Sequence, residues 1–236
     1  MIRNSKTFII GLVMLLSFSV IFAYIMSPSF EGGRNGLQYS DDMFNSLSKG
    51  SAYFIGEEKK KAEKLVGNNI DVTIKATDKE EAEKYAKLFS TAGAIVKVDD
   101  TKVSIQGDLG KLVKYSLEDC DAMYLNNGTK VKEKYGYEGR DAMYAWFTAF
   151  KKFDSELKNQ KRFKEASAIA SFSKKAIEPA YNYYNVEIKH VKDNVGSVTF
   201  MLIFYVVYTL WYGFGIYYLC DGLGITMTKA AKKSEA

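Results

Sequence analysis

Residues 195–220 carry no charged side chain and are bounded by Asp193 and Asp221. As a helix, such a run reaches about 39 Å at roughly 1.5 Å per residue, enough to cross a bilayer with some tilt. The run holds nine aromatic residues between Phe200 and Tyr218. Every other segment has to be compatible with an anchor of this kind.

A second uncharged run covers residues 7–26. Its apolar length exceeds the roughly 7–15 residues of a signal-peptide core, and no clear A-x-A site follows it. It therefore reads as a permanent transmembrane helix. Arg3 and Lys6 precede the first run, and Lys229, Lys232 and Lys233 follow the second against Asp221 and Glu235. Short basic flanks stay cytoplasmic, whereas long loops cross largely regardless of charge. The expected topology is a two-pass cell-membrane protein with tails 1–6 and 221–236 in the cytoplasm. Residues 27–196 then lie outside, in the periplasm or at the cell exterior. The outer segment's basic and acidic residues nearly cancel, which gives no footprint for nucleic acid. This topology also places Cys120 and Cys220 on opposite sides of the membrane, so no disulfide joins them. Cys120 is expected to be a small buried residue.

Between the runs, residues 27–69 read as juxtamembrane linker and short helices. Pro28 and three glycines make residues 27–36 a flexible stretch. Ser40 is the expected cap of an amphipathic helix that sets Met43, Phe44 and Leu47 on one face and stops near Gly50. Residues 57–64 (EEKKKAEK) read as a solvated helix with i,i+4 ion pairs.

Residues 70–135 carry the clearest fold signal. Ile70, Val72 and Ile74 alternate as in a strand. Thr77 and Glu80 form a T-x-x-E capping box before a helix that runs through Leu88 and Phe89. Gly93 suits the left-handed position after it. Two short strands flank the turn Asp99-Asp100-Thr101, and Asp108 caps a second helix reaching Leu125. Residues 129–134 are the candidate last strand. The order β-α-β-β-α-β predicts an α+β, ferredoxin-like domain with two helices on one face of an antiparallel sheet. The rival is a sheet completed by another chain.

Residues 138–178 form a long helix or a helical hairpin, since the apolar period breaks over residues 158–162 (KNQKR). Trp146 and Phe150 belong to an aromatic stripe that either packs on the domain's own sheet or docks another subunit. Pro179 is expected to end this element. Residues 179–194, rich in tyrosine and lysine, suit a membrane–water interface.

Most catalytic templates fail on inventory. The single histidine, His190, cannot make a paired-His zinc site, and C-x-x-C and G-x-S-x-G are both absent. The stretch from Gly107 to Lys111 lacks phosphate-loop spacing and reads as a helix start. No enzyme activity, metal or cofactor is expected, a quinone against the aromatics of residues 195–220 being the one alternative.

At about 100° per residue, Ser197, Met201, Tyr205, Tyr208, Tyr212 and Gly215 share one face of the second span. A hydroxyl in hydrocarbon wants a partner, so Tyr205, Tyr208 and Tyr212 are the expected contacts with another helix. Ser17, Ser19 and Ala23 of the first span offer small residues for close approach. Together these features suggest a non-catalytic subunit or scaffold of a membrane complex. Its expected partners are membrane lipid and other membrane proteins, with a homo-oligomer as a further option. A ligand sensor acting through a partner and an oligomeric organiser of envelope polymers are the other readings.

Overall fold

A computed structural model describes residues 2–225, so Lys229, Lys232, Lys233 and Glu235 lie outside the described residues. Among the described residues, ten α-helices and three strands follow in order: α1 (Ser5–Met26), α2 (Gly36–Ser51), α3 (Ile55–Glu63), β1 (Asn69–Lys75), α4 (Lys79–Thr91), β2 (Ile95–Asp99), β3 (Lys102–Asp108), α5 (Leu109–Tyr124), α6 (Gly128–Tyr135), α7 (Gly139–Asn159), α8 (Phe163–Phe172), α9 (Glu178–Asn182) and α10 (Val195–Gly222). They form two compact units, one of residues 2–44 and 190–225 and one of residues 45–189.

In the first unit, α1 and α10 are long and apolar enough to cross a membrane. The glycine-rich stretch before α2 is a closed turn rather than a flexible linker. Phe30 bridges to Arg34 across the Glu31–Gly33 turn, and Arg34 pairs with Asp42 at 2.5 Å. Ser40 is not the cap of α2, because its hydroxyl donates to Gly36 O within the helix at 2.8 Å. Asn35 and Gln38 do that work reciprocally: the Gln38 amide donates to Asn35 Oδ1 at 2.8 Å and the Asn35 amide to Gln38 Oε1 at 3.0 Å.

The second unit is built on a three-stranded antiparallel sheet of order β1-β3-β2. Val72 faces Ile105 and Val96 faces Ile105 from the other side, which aligns the apolar sides of all three strands. Ile70, Val72, Ile74, Val103 and Ile105 are buried beneath α4, α5 and α7. The cap of α4 is one residue later than T-x-x-E suggests: the Asp78 side chain accepts from the Glu81 amide and Glu81 reaches back to the Thr77 amide. Gly93 takes φ +92° after α4, Asp100 turns the β2–β3 hairpin at φ +54°, and Asp108 caps α5.

The expected last strand is a helix. Residues 129–134 lie in α6, which buries Val131 and Tyr135 one turn apart and ends on Gly136 at φ +82°. The free edge of β1 is instead met by side chains from the α7–α8 turn. Gln160 donates to Asp71 O at 2.9 Å and Arg162 to Asn69 O at 2.9 Å. Residues 138–178 are a hairpin, turned at Lys161 (φ +60°), with the Arg162 amide closing back on Leu157 O.

Pro179 does not end the helical run. A π-turn over Ser173–Ile177 widens the backbone, and Pro179 sits in the first turn of α9, where a missing amide hydrogen leaves no bond unmade. The solvated reading of residues 57–64 holds for Glu57, Lys60, Lys61, Glu63 and Lys64 but not for Glu58. Glu58 of α3 is fully buried, and its ion pair with Lys61 is i,i+3 at 2.6 Å.

Candidate interaction face and buried polar centres

α1 and α10 meet along a seam of close backbone contact. A Cβ on Gly11 would lie 2.4 Å from Leu219 N and 2.9 Å from Gly215 O, and one on Gly222 would lie 2.5 Å from Phe8 N. Only hydrogen fits at these positions, so glycine sets the approach. Met201, Phe204, Tyr208, Trp211, Gly215, Leu219 and Gly222, all among the less exposed positions of α10, recur at three-four spacing. The Trp211 indole donates to Met14 O at 3.1 Å, and the Phe18 ring lies 4.5 Å from Tyr208 and 4.9 Å from Tyr212.

This placement divides the expected interaction residues. Tyr208 belongs to the α1 seam. Tyr205, 67 % exposed, keeps most of its surface outside it, and Tyr212, 47 % exposed, sits at its rim against Phe18. Among the described residues neither of those two hydroxyls has a hydrogen-bond partner. Of the small residues Ser17, Ser19 and Ala23 of α1, only Ser17 is half-buried, lining a groove with Val207 and Trp211 of α10, while Ser19 and Ala23 are exposed. Ser17 and Ser19 donate to Val13 O and Leu15 O of their own helix, both at 2.8 Å. An apolar cleft of about 820 Å³ opens in the same unit beside Ile21, Phe30, Tyr39, Phe200, Met201 and Phe204.

Trp146 and Phe150 lie elsewhere, fully buried in the second unit. Their rings pack on Phe89 at 5.1 and 6.2 Å, so this part of the stripe is core. Trp146 also has a polar partner. Its indole donates at 3.2 Å to Asp119, a fully buried carboxylate that accepts from Lys134 at 2.6 Å and from the Tyr135 hydroxyl. Burial, then the charge of Asp119, push the Tyr135 hydroxyl far up, and the same two causes raise its stacked neighbour Tyr137. Burial pulls Lys134 down, but the hydrogen bond and charge of Asp119 outweigh it and hold the ammonium above its ordinary range.

A second centre surrounds Lys49, 1 % exposed, whose ammonium donates to Asn126 Oδ1, Tyr183 O and Val186 O at 2.8, 2.9 and 2.8 Å. The Tyr124 ring lies 5.3 Å away, and its hydroxyl donates to Lys49 O. Desolvation lowers the Lys49 pKa. Burial pushes Tyr124, with Tyr183 beside it, up to about 12. These bonds tie the end of α2 to the segment after α9, where the Lys189 amide also donates to Ser46 O at 3.1 Å. Gly50 allows the approach, since a Cβ there would lie 2.3 Å from Lys189 O.

Glu81 is a third hub, accepting from Tyr85 OH, the Thr77 amide and Lys152. Burial alone would raise its carboxyl, but these hydrogen bonds hold it at about 2. Cys120 is buried, and burial followed by the charges of Asp119 and Asp121 pushes its thiol well up, an inert position. His190 is exposed.

Sequence reasoning missed Asp119, Lys49 and the glycine seam. Asp119 carried a signal: it falls three and seven residues after Ser116 and Leu112, on the apolar stripe of α5. Gly215 and Gly222, two helical turns apart in an apolar helix, carried another. Lys49 had none, because its oxygen ligands lie up to 137 residues away. Compared with family models, with curated proteins and with solved structures, the chain matches none.

Proposed function

We propose that the chain is a non-catalytic integral membrane subunit or scaffold of a larger membrane protein complex. In this reading α1 and α10 cross the membrane, both tails are cytoplasmic and residues 27–196 form an outer interaction domain. One observation carries it: Tyr205, 67 % exposed, presents its hydroxyl from an apolar helix, and the half-exposed Tyr212 shares that face at the rim of the α1 seam. A hydroxyl in hydrocarbon gains about 0.6–2 kcal/mol from an interhelical hydrogen bond, so this side suits a further helix.

The test is purification of the full chain from its native membranes in mild detergent. A second membrane protein at fixed stoichiometry is expected, and Tyr205→Phe with Tyr212→Phe should release it while the chain keeps its own melting temperature. A lone monomer, or assembly unchanged by the double substitution, would overturn the reading. For topology, a membrane-impermeant thiol reagent should leave Cys220 unlabelled in intact cells. Labelling there would reverse the tail assignment.

A further inference from the structure

The two edges of the sheet are treated differently. On β1, Gln160 and Arg162 occupy outward carbonyls. On β2, Ile95 is 66 % and Val98 47 % exposed. Edge strands with unpaired backbone groups are templates for another strand. From this asymmetry we propose that β2 pairs antiparallel with β2 of a second copy of this chain, joining two sheets into one about a two-fold axis at Val98.

The ladder shows which backbone groups are available. The Ala76 amide donates to Thr101 O and the Leu109 amide to Asn68 O, so the odd-numbered residues of β3 bond toward β1. The even-numbered residues of β3 therefore bond toward β2, where they face Ile95, Lys97 and Asp99. The amide and carbonyl groups of Val96 and Val98 point outward, away from the sheet.

Charge then selects the register. Centred on Lys97, the pairing sets Lys97 against Lys97, and like charges directly opposite are unfavourable. Centred on Val96, it sets Lys97 against Ile95 and gives neither charge a partner. Centred on Val98, it sets each Lys97 against the other chain's Asp99. The two Val98 residues then exchange their outward hydrogen bonds. The ion pairs occupy non-hydrogen-bonded positions, where facing side chains come closest. Edge charges that discourage foreign strands are thereby self-complementary in one register. The contact goes beyond the proposed heteromeric role and uses no residue of the α10 face.

Sedimentation of the full chain in mild detergent over a concentration series tests it. A reversible dimer is expected. Lys97→Glu and Asp99→Lys should each weaken it by roughly tenfold or more, since each turns two attractive pairs into repulsive ones. The combined exchange Lys97→Asp with Asp99→Lys should restore it. Val98→Pro removes only an outward amide and should abolish the dimer, with circular dichroism melting as the check on folding. A monomer at every concentration would overturn the proposal, as would a dimer indifferent to both charge reversals. A dimer lost on Tyr205→Phe with Tyr212→Phe would also overturn it, by moving the contact to α10.

Discussion

The Lys49 ammonium and the Asn126 side-chain oxygen lie 2.8 Å apart, and that same oxygen accepts the Asn185 amide at 2.9 Å. Asn126 also donates to Val186 O at 3.0 Å, so one asparagine and one lysine gather the end of α2, the α5–α6 turn and the segment after α9. Both Asn126 and Asn185 hold positive φ, +61° and +66°, a conformation asparagine tolerates better than most residues.

Replacing Lys49 by Met removes the charged donor from three oxygens, each of which keeps one neutral donor: Asn185 N on Asn126 Oδ1, Val186 N on Tyr183 O and Asn126 Nδ2 on Val186 O. A loss of about 1–3 kcal/mol is expected, read from thermal or denaturant unfolding of the full chain in detergent. The wild-type pH dependence has a definite sign. Because burial lowers the folded pKa, the unfolded chain binds this proton more tightly. Stability therefore rises with pH from the folded pKa up to the unfolded lysine value of 10.5, and Lys49→Met should lack that slope.

Asp119→Asn keeps the shape of the side chain but removes the charge that Lys134 faces. Breaking one side of a buried pair costs about 3–5 kcal/mol, and the 21 % exposure of the Lys134 side chain moves the expectation to the lower end. Near-ultraviolet circular dichroism should report the change at Trp146, whose indole bonds the same carboxylate. An unaltered spectrum with unaltered stability would show that the carboxylate is dispensable.

Glu81 sets an acid limit. Its folded pKa is about 2 against an ordinary 4.5, so the stability it contributes is complete above about pH 4.5 and lost as pH falls toward 2. Glu81→Gln should flatten that part of the stability profile. It should also loosen the start of α4, since the Thr77 amide and Lys152 lose a charged acceptor.

Periodicity made the local elements readable. Alternation located β1, the Asp99-Asp100-Thr101 turn located the hairpin, and the absence of charge located α1 and α10. The errors came where a distant group decides the outcome. Residues 129–134 resemble a polar strand, yet burial of Val131 and Tyr135 against neighbouring helices makes them a helix. Pro179 looks like a terminator until a π-turn supplies the extra residue that accommodates it. Glu58 sits in a run of charges that reads as solvent-facing, and its hydrogen-bond donor Ser171 lies 113 residues away. On α10 the helical angle grouped Tyr205, Tyr208 and Tyr212 on one face, and only the packing of Phe18 on Tyr208 divides them. The seam partner had to be seen too: Gly11 excludes a side chain, whereas the Ser17 hydroxyl returns to its own helix.

That contrast makes the final prediction. Gly11→Val adds carbon atoms where even a Cβ would lie 2.4 Å from a backbone nitrogen, and neither backbone can yield as a flexible side chain would. The two helices must separate, at a cost of roughly 1–3 kcal/mol or more. Ser17→Val, similar in size and on the same helix, should be nearly neutral, because the serine hydroxyl only returns to Val13 O and Met14 O. Cys220, half-buried on α10 next to Leu219, is the reporter. In detergent, its thiol should react faster in Gly11→Val than in wild type and at the wild-type rate in Ser17→Val. Equal rates in all three would mean that the glycine does not set the distance between the helices.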